Sequence, residues 1–266
     1  MMNLKPDEYL DPETNQVRCK KCQGIRRREL KLGGEVLSIP VLCTCPQEAW
    51  EAGEEKRKHR AFLDRVQRNR SLGMQDQSLL TCTFENAQGD NPALAKARRY
   101  ADNWDEMLSK SMGILFWGDV GTGKTYLAAC IVNALLARGV EVRMTSLSHV
   151  LNDLSSYQSD KNAVLQELNR FQLLVLDDFG MERITDYSLE QIFNVIDGRY
   201  RSKLPMIITT NLPLEELKHP RTLALARIYD RILERCVPVH VKGRNLRQEK
   251  AQENLEAARK LLGGAQ

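Results

Sequence analysis

The residues GDVGTGKT at positions 118–125 have the spacing of a loop that binds phosphate groups. Its glycines let the backbone N–H groups turn inward without clashes from Cβ atoms, and a helix that follows directs its positive N-terminus at the same anion. Lys124 would contact the β- and γ-phosphates of ATP, and Thr125 would hold Mg²⁺ through its hydroxyl. A chance glycine-rich turn is the alternative. The nucleotide-binding candidates in this loop are Gly118, Asp119, Val120, Gly121, Thr122, Gly123, Lys124, Thr125 and Tyr126.

Two acidic residues end the apolar run LLVLDDF at 173–179. Asp177 has the position of a residue that holds Mg²⁺ together with Thr125, and Asp178 has the position of a base that activates water. Aspartate is one methylene shorter than the glutamate that many ATP-hydrolysing proteins carry at this point, so Glu182 is a second candidate for the base. Solvated acids in a turn at the end of a strand are the alternative interpretation.

From about residue 76 the chain alternates apolar strand-like runs with helical stretches. This alternation predicts a parallel sheet with right-handed crossovers, whose ligands bind at the carboxyl ends of the strands. Asn211 would lie at such an end, where its amide can orient the attacking water; a plain turn residue is the alternative. The predicted strands are GILFW (113–117), VEVRMT (140–145), LLVLDDF (173–179), MIITTN (206–211) and VPVHV (237–241).

Four cysteines near the N-terminus form two close pairs, CKKC at 19–22 and CTC at 43–45. Four thiolates in two close pairs can meet around one Zn²⁺ ion, and so small a module would depend on the metal for its stability. Reduced cysteines without a metal are the alternative. The expected zinc ligands are Cys19, Cys22, Cys43 and Cys45, whereas apolar surroundings predict simple buried thiols at Cys82, Cys130 and Cys236.

The composition is that of an ordinary globular protein, since 42% of the 266 residues are hydrophobic and 28% are charged. No apolar run approaches the ~18 residues of a membrane-spanning helix, and the first ten residues lack the pattern of a secretory signal. We therefore expect a cytoplasmic protein with reduced cysteines. Residues 1–70 hold 15 Lys and Arg against 11 Asp and Glu and so carry all of the +4 net charge. This distribution indicates a basic accessory region before a neutral core domain.

Three arginines lie four residues apart in ALARIYDRILERC, at positions 227, 231 and 235. On a helix this spacing places the three guanidinium groups along one face. A local interpretation pairs Arg227 with Asp230 and Arg231 with Glu234, and each such pair is worth about 0.2–0.5 kcal/mol. The other interpretation is that the arginines meet a phosphate group.

Several of these segments occur in the order found in one family: TFENA at 83–87, GDVGTGKT, LLVLDDFG, IITTN, ARIYDRI and KGRNLR. Over residues 76–250 the chain resembles AAA+ ATPases of the DnaC/DnaI helicase-loader type, and IstB-type transposition ATPases share nearly all of these segments. The resemblance implies an α/β fold, namely a P-loop AAA+ domain with a five-stranded parallel sheet flanked by helices and without a full C-terminal lid. It also implies a small zinc-ribbon-like module at the N-terminus, as in DnaI.

The resemblance gives roles to three arginines. Arg231 matches the arginine finger that enters the ATP site of a neighbouring subunit, and Arg227 matches a second arginine that binds this nucleotide. Arg247 matches the sensor arginine that acts on the nucleotide of its own subunit. With these residues, the catalytic candidates are Lys124, Asp177, Asp178, Asn211, Arg231 and Arg247.

The implied function is that of an ATP-dependent replicative helicase loader in the initiation of DNA replication. Residues 1–50 would be the zinc-binding module that holds the hexameric helicase, 51–75 a basic helical linker and 76–266 the ATPase domain. Subunits would form an ATP-bridged spiral on single-stranded DNA, with slow hydrolysis as the release switch. The residues that match the DNA contacts of the family are Tyr157, Thr185 and Tyr187.

Three other functions are open at this point. An IstB-type ATPase that regulates transposition would bind duplex DNA and a transposase, and the cysteine pairs argue mildly against it. A non-enzymatic, ATP-gated DNA-binding scaffold would use the same nucleotide loop without turnover. A metabolic P-loop kinase is disfavoured by the arginine helix and by the expected absence of a lid that closes over a substrate.

Overall fold

The computed structural model describes residues 4–32, 35–74, 76–87, 91–156, 160–181 and 185–261. Its contacts divide the chain into two units, residues 1–64 and 65–266. The long helix α1 (Thr44–Gly73) begins in the first unit and ends in the second. Tyr157 and Glu182, which the sequence selected as a DNA contact and as a candidate base, lie outside the described residues.

The first unit consists of two antiparallel strand pairs and the beginning of α1. Among its described side chains only those of Glu8, Val17 and Cys19 are buried, so the unit has almost no apolar core. A module of this kind needs another source of stability. Its strands are β1 (Glu8–Leu10), β2 (Val17–Cys19), β3 (Arg27–Leu32) and β4 (Glu35–Pro40).

The second unit alternates helices and strands after a 3₁₀ turn at Gln77–Thr81. Its strands are β5 (Gly113–Trp117), β6 (Val142–Ser146), β7 (Leu173–Phe179), β8 (Met206–Thr210) and β9 (Cys236–His240). Its helices after α1 are α2 (Pro92–Asp102), α3 (Trp104–Ser109), α4 (Lys124–Ala137), α5 (Leu147–Ser155), α6 (Lys161–Arg170), α7 (Asp186–Arg201), α8 (Leu214–Lys218), α9 (Leu223–Arg235) and α10 (Leu246–Leu261).

The five strands form one parallel sheet in the order β6-β7-β8-β5-β9, which confirms the predicted five-stranded parallel sheet. The strand β6 begins two residues later than predicted. The cause is that Val140 donates its N–H to Leu135 and so closes the end of α4, with Gly139 at φ 78°.

Helices cover both faces of the sheet because side chains alternate along its buried strands. Along β7, Leu174 and Leu176 pack into the apolar cluster of α5, α7 and α9, whereas Val175 packs into the cluster of α2 and α4. The carboxyl ends of β5, β7 and β8 lie at one edge of the sheet, because all three strands are parallel. No helix in the described ranges is long and apolar enough to span a membrane.

Candidate functional site

The loop between β5 and α4 has the backbone shape that phosphate binding requires. Gly118, Gly121 and Gly123 have φ angles of 143°, 81° and 95°, a region that glycine adopts without strain. At Gly121 an added Cβ would also lie 2.0 Å from Oδ1 of Asn245, so a side chain at this position would have to displace that of Asn245. The loop leads directly into α4, whose first residue is Lys124, and thereby supplies a helix N-terminus for an anion.

The side chain of Lys124 is buried and bends back into its own loop. Its Nζ donates to the carbonyl oxygen of Gly118 at 2.9 Å and to that of Asp119 at 2.7 Å. Burial lowers the pKa of Lys124, and the nearby acids, first Asp178, oppose this shift. The lysine therefore lies inside the loop that phosphate groups would enter.

Asp177 and Thr125 meet at the carboxyl end of β7. The Thr125 hydroxyl lies 3.0 and 3.1 Å from the two carboxylate oxygens of Asp177, and the Thr209 hydroxyl donates to Oδ1 at 2.6 Å. Burial raises the pKa of Asp177, and the Thr209 hydrogen bond opposes this shift. A carboxylate beside a hydroxyl at the phosphate loop is an oxygen donor set that fits Mg²⁺.

A β-bulge in β7 turns the side chains of Asp177 and Asp178 in different directions. In the ladder between β7 and β8, Leu176 pairs with Ile208 and Phe179 pairs with Thr210, so Asp177 and Asp178 together face Thr209. Asp178 takes a left-handed conformation with φ 54°, and its N–H donates to the Thr209 hydroxyl at 3.0 Å. The bulge places the side chain of Asp178 in solvent, next to the phosphate loop.

Four of the six catalytic candidates line one cavity of about 250 Å³ with other residues of the phosphate loop: Lys124, Asp178, Asn211 and Arg247. Asn211 follows β8, and its Nδ2 lies 3.6 Å from the sulfur of Met181. Arg247 is the second residue of α10, where its N–H donates to Asn245. One chain thus brings Arg247 to its own phosphate loop.

A second cavity of about 520 Å³ adjoins the first and shares Gly123, Tyr126 and Leu246 with it. Lys250 and Glu253 continue its lining along α10. The helix α10 therefore forms a wall of both cavities. The second cavity has room for a nucleotide base beside the phosphate loop.

Arg227 and Arg231 line a different cavity, of about 360 Å³, and not the one that holds Lys124. The local ion pairs of Arg227 with Asp230 and of Arg231 with Glu234 are both absent from the described part of α9. Instead, Nε of Arg231 donates to Asp197 on α7 at 2.9 Å.

The two described candidates for DNA contact have local hydrogen bonds. The Thr185 hydroxyl accepts from Ser188 as the N-cap of α7. The Tyr187 hydroxyl donates to the carbonyl oxygen of Leu154, and the ammonium group of Lys161 lies 4.9 Å from the centre of its ring. The Tyr187 ring is partly exposed and has a cation beside it.

In the first unit, the four predicted zinc ligands converge. Their sulfur atoms all lie within 4.8 Å of one another, and those of Cys19 and Cys45 are 3.9 Å apart. Sulfurs of a tetrahedral zinc–thiolate site, with Zn–S bonds of about 2.3 Å, are separated by about 3.8 Å. The geometry fits Zn²⁺. The converging residues are Cys19, Cys22, Cys43 and Cys45.

Gly24 lies against both cysteine pairs. A Cβ at this position would lie 3.3 Å from the sulfur of Cys22 and 3.4 Å from Cβ of Cys43. A hydrogen bond from the backbone of Gly24 lowers the pKa of Cys22 to about 6, which favours the thiolate that zinc binds. As predicted, Cys82, Cys130 and Cys236 are buried free thiols.

Three residues that the sequence analysis did not select contact predicted site residues. Thr209 bonds to both acids of β7, Asp197 bonds to Arg231, and Asn245 contacts Gly121. No motif marks Thr209, because a β-branched residue is ordinary in a strand. Asn245 carried a usable signal, since asparagine before a helical run is an N-cap, and its Oδ1 accepts from two N–H groups of α10.

A family model described as IstB-like ATP binding protein matches residues 56–254 of this chain. The replicative helicase loader DnaC of Escherichia coli (strain K12) is 32% identical over 144 residues, which cover 51% of this chain and 58% of that protein. The replicative helicase loader DnaI of Bacillus subtilis (strain 168) is 27% identical over 205 residues, which cover 70% of this chain and 65% of DnaI. The chain thus spans less than two thirds of either curated relative.

A crystal structure of DnaI has the same fold, with a TM-score of 0.56 and 25% sequence identity. The match covers 67% of this chain and 99% of that structure. The matched residues 56–254 include the phosphate loop, both acids of β7, Asn211, the arginines of α9 and Arg247. The chain therefore belongs to the IstB-like family of ATP-binding proteins and is homologous to the helicase loaders DnaC and DnaI.

Proposed function

We propose that this chain is an ATP-dependent replicative helicase loader that acts in the cytoplasm during the initiation of DNA replication. One observation carries the proposal: a single cavity holds Lys124, Asp178, Asn211 and Arg247, while Arg231 lines another. The chain thus has the parts of an ATPase site except an arginine finger, which a second copy can donate. Homology to DnaC and DnaI supports the assignment to loaders.

In the proposed reaction each side chain has one task. Lys124 leaves the loop carbonyls and binds the β- and γ-phosphates, and Asn211 orients the attacking water. Asp178 accepts the proton of that water, because its side chain is exposed at the cavity. Bound Mg²⁺, held by Thr125 and Asp177, would neutralise charge on the phosphate oxygens.

Arg231 is proposed to complete the site of a neighbouring copy, with Arg227 beside it. Lys124→Ala destroys the nucleotide site but keeps the finger, whereas Arg231→Ala keeps the nucleotide site but loses the finger. Each variant alone should lose nearly all ATPase activity, and an equimolar mixture should recover part of it. A mixture as inactive as its components would contradict a shared site.

The N-terminal region is proposed to hold the helicase through a zinc module within residues 1–50, joined by the basic helical segment 51–75 to the ATPase domain 76–266. The convergence of four thiols in a unit with almost no apolar core supports a bound Zn²⁺ ion. The exposed Leu30, Leu37 and Ile39 of the β3–β4 hairpin provide apolar surface for a partner.

Single-stranded DNA is proposed to bind at Tyr157, Thr185 and Tyr187, with the subunits in an ATP-bridged spiral. A base can stack on the partly exposed ring of Tyr187, and Lys161 lies where a phosphate would be attracted. Tyr187→Ala should weaken the binding of a fluorescent oligonucleotide about tenfold. Tyr187→Phe keeps the ring and should bind like the native protein, so equal losses in both variants would argue against stacking.

A loading assay tests the function directly. The native chain, the hexameric replicative helicase of the same organism and ATP are incubated with single-stranded circular DNA coated by single-strand-binding protein. The proposal predicts that helicase bound to the circle increases strongly with the native chain and not with Lys124→Ala. No increase over helicase alone would contradict a loader.

The second candidate is an ATPase that regulates transposition, which the description of the matching family model favours. Such a protein would bind duplex DNA and associate with a transposase. Binding to a duplex oligonucleotide more tightly than to a single strand, without association with the helicase, would select this second function.

A further inference from the structure

Arg231 is held by one face of α7. Its Nε donates to Oδ1 of Asp197 at 2.9 Å, and its guanidinium carbon lies 4.7 Å from the ring centre of Phe193 and 5.6 Å from that of Tyr200. The spacing of four and three residues places these three side chains on the same side of the helix. We refer to Phe193, Asp197 and Tyr200 as the α7 cradle.

The α7 cradle binds Nε of the Arg231 guanidinium group and leaves Nη2 available. Nη1 of Arg231 donates to the carbonyl oxygen of Arg227 at 3.0 Å, whereas Nη2 has no hydrogen-bond partner in the described part of the chain. The side chain of Arg231 is 25% exposed, compared with 13% for that of Asp197. A nearly buried carboxylate thus anchors a cation whose tip still reaches solvent.

Arg231 is not the only cation with which Asp197 pairs. Its second oxygen, Oδ2, forms an ion pair with Nε of Arg201 at 2.8 Å, so one carboxylate is shared between two guanidinium groups. Glu234, the residue expected to pair with Arg231, instead accepts a hydrogen bond from the Tyr200 hydroxyl. The positive charge of Arg231 therefore remains available for a phosphate.

The packing of α7 on α9 does not depend on this ion pair. Buried apolar side chains of both helices, among them Ile196 and Ile232, belong to the same apolar cluster. Asp197, by contrast, pairs at that interface with the Nε atoms of Arg231 and Arg201. We infer that Asp197 contributes more to the orientation of Arg231 than to the stability of the packing between α7 and α9.

We propose that Asp197 is a positioning residue, which fixes the guanidinium group of Arg231 in the direction needed for the nucleotide of a second copy before that copy arrives. A free arginine side chain loses rotamer entropy when it is fixed. The α7 cradle fixes it in advance, so less is lost in the transition state. The inference rests on the proposed shared ATPase site.

The test uses mixtures in which only one kind of site can work. Lys124→Ala chains donate the finger, and Arg231→Ala chains supply the nucleotide site. Asp197→Asn, which keeps the shape of the side chain and removes its charge, is then added to one partner at a time. On the finger donor it should lower kcat about ten- to hundredfold with little change in the KM for ATP. On the partner that lacks Arg231 it should change neither value.

Other outcomes of this experiment would overturn the inference. Equal losses on both partners would mean that Asp197 acts on folding. A faster reaction with Asp197→Asn on the finger donor would mean that Asp197 holds Arg231 back from the nucleotide of the second copy. Phe193→Leu on the donor is a second variant that leaves Asp197 in place, and it should also lower kcat. If the parent mixture without Asp197→Asn were inactive, the shared site itself would be wrong, and with it the role of Asp197.

Discussion

The hydroxyl of Thr209 donates to Oδ1 of Asp177 at 2.6 Å and accepts the N–H of Asp178 at 3.0 Å. One buried hydroxyl on β8 thus fixes the two neighbouring acids of β7 in different directions. The bulge at this point removes a regular ladder bond, and the Thr209 side chain replaces it.

Thr209→Val should weaken the binding of nucleotide in the presence of Mg²⁺ by about tenfold or more, since a hydrogen bond to a charged group is worth about 1.5–3 kcal/mol. Binding of a fluorescent ADP analogue in EDTA should change little, because the lysine and the loop remain. Thr209→Ser keeps the hydroxyl and should bind like the native chain.

Thr145→Val is the matched control for this change. Thr145 is also buried, on β6 at the other side of β7, and its hydroxyl makes only a local contact of 3.4 Å among the described residues. If Thr145→Val lowered Mg²⁺-dependent binding as much as Thr209→Val, the special role of Thr209 would be refuted.

Gly121→Ala should reduce nucleotide affinity at least about tenfold, because φ at this position is 81° and the new Cβ would displace the side chain of Asn245. Isothermal titration with ATP measures the effect. Gly53→Ala is the comparison: Gly53 lies within α1 with no atom near its Cβ direction. That change should raise the free energy of unfolding by about 0.5–1 kcal/mol, and leave ATP binding unchanged.

Arg199→Met should lower the free energy of unfolding by about 2–4 kcal/mol. Arg199 is fully buried and donates to the carbonyl oxygens of Phe171, Gln172 and Pro205, so its loss leaves these acceptors unpaired. Burial lowers its pKa to about 10, which still leaves it charged at neutral pH. Urea unfolding measures the difference, and the exposed Arg99→Met should change the midpoint little; similar midpoints for both variants would contradict this account.

Removal of zinc should affect one unit only. By elemental analysis we expect roughly one zinc ion per native chain. The variant Cys19→Ser, made in the full chain, should lose this zinc and should no longer bind the helicase. It should still bind ATP. Cys82→Ala is the control, since Cys82 is a buried thiol outside the cluster, and it should keep its zinc. A native chain that is purified without zinc yet binds helicase would contradict the metal assignment.

The nucleotide site could be predicted from the sequence because its parts are local. The loop at 118–125 and the acids after an apolar strand each lie within a few residues, and parallel strands bring their ends together. Arg247 needed the family resemblance, because no local pattern says that α10 turns back to the phosphate loop.

The partner of Arg231 could not be predicted. The sequence offers Glu234 three residues away, whereas Asp197 lies 34 residues earlier and meets Arg231 only because α7 packs against α9. The bulge at Asp178 could not be predicted for a similar reason, since it depends on Thr209 in another strand. Contacts set by the packing of separate elements leave no spacing pattern in the chain.

The dependence of ATPase activity on protein concentration tests most directly whether one copy completes the site of another. We expect the rate per chain to fall when the native protein is diluted below the concentration at which copies associate, and to be low at every concentration for Arg231→Ala. A rate per chain that stays constant on dilution and is indifferent to the loss of Arg231 would contradict the shared site.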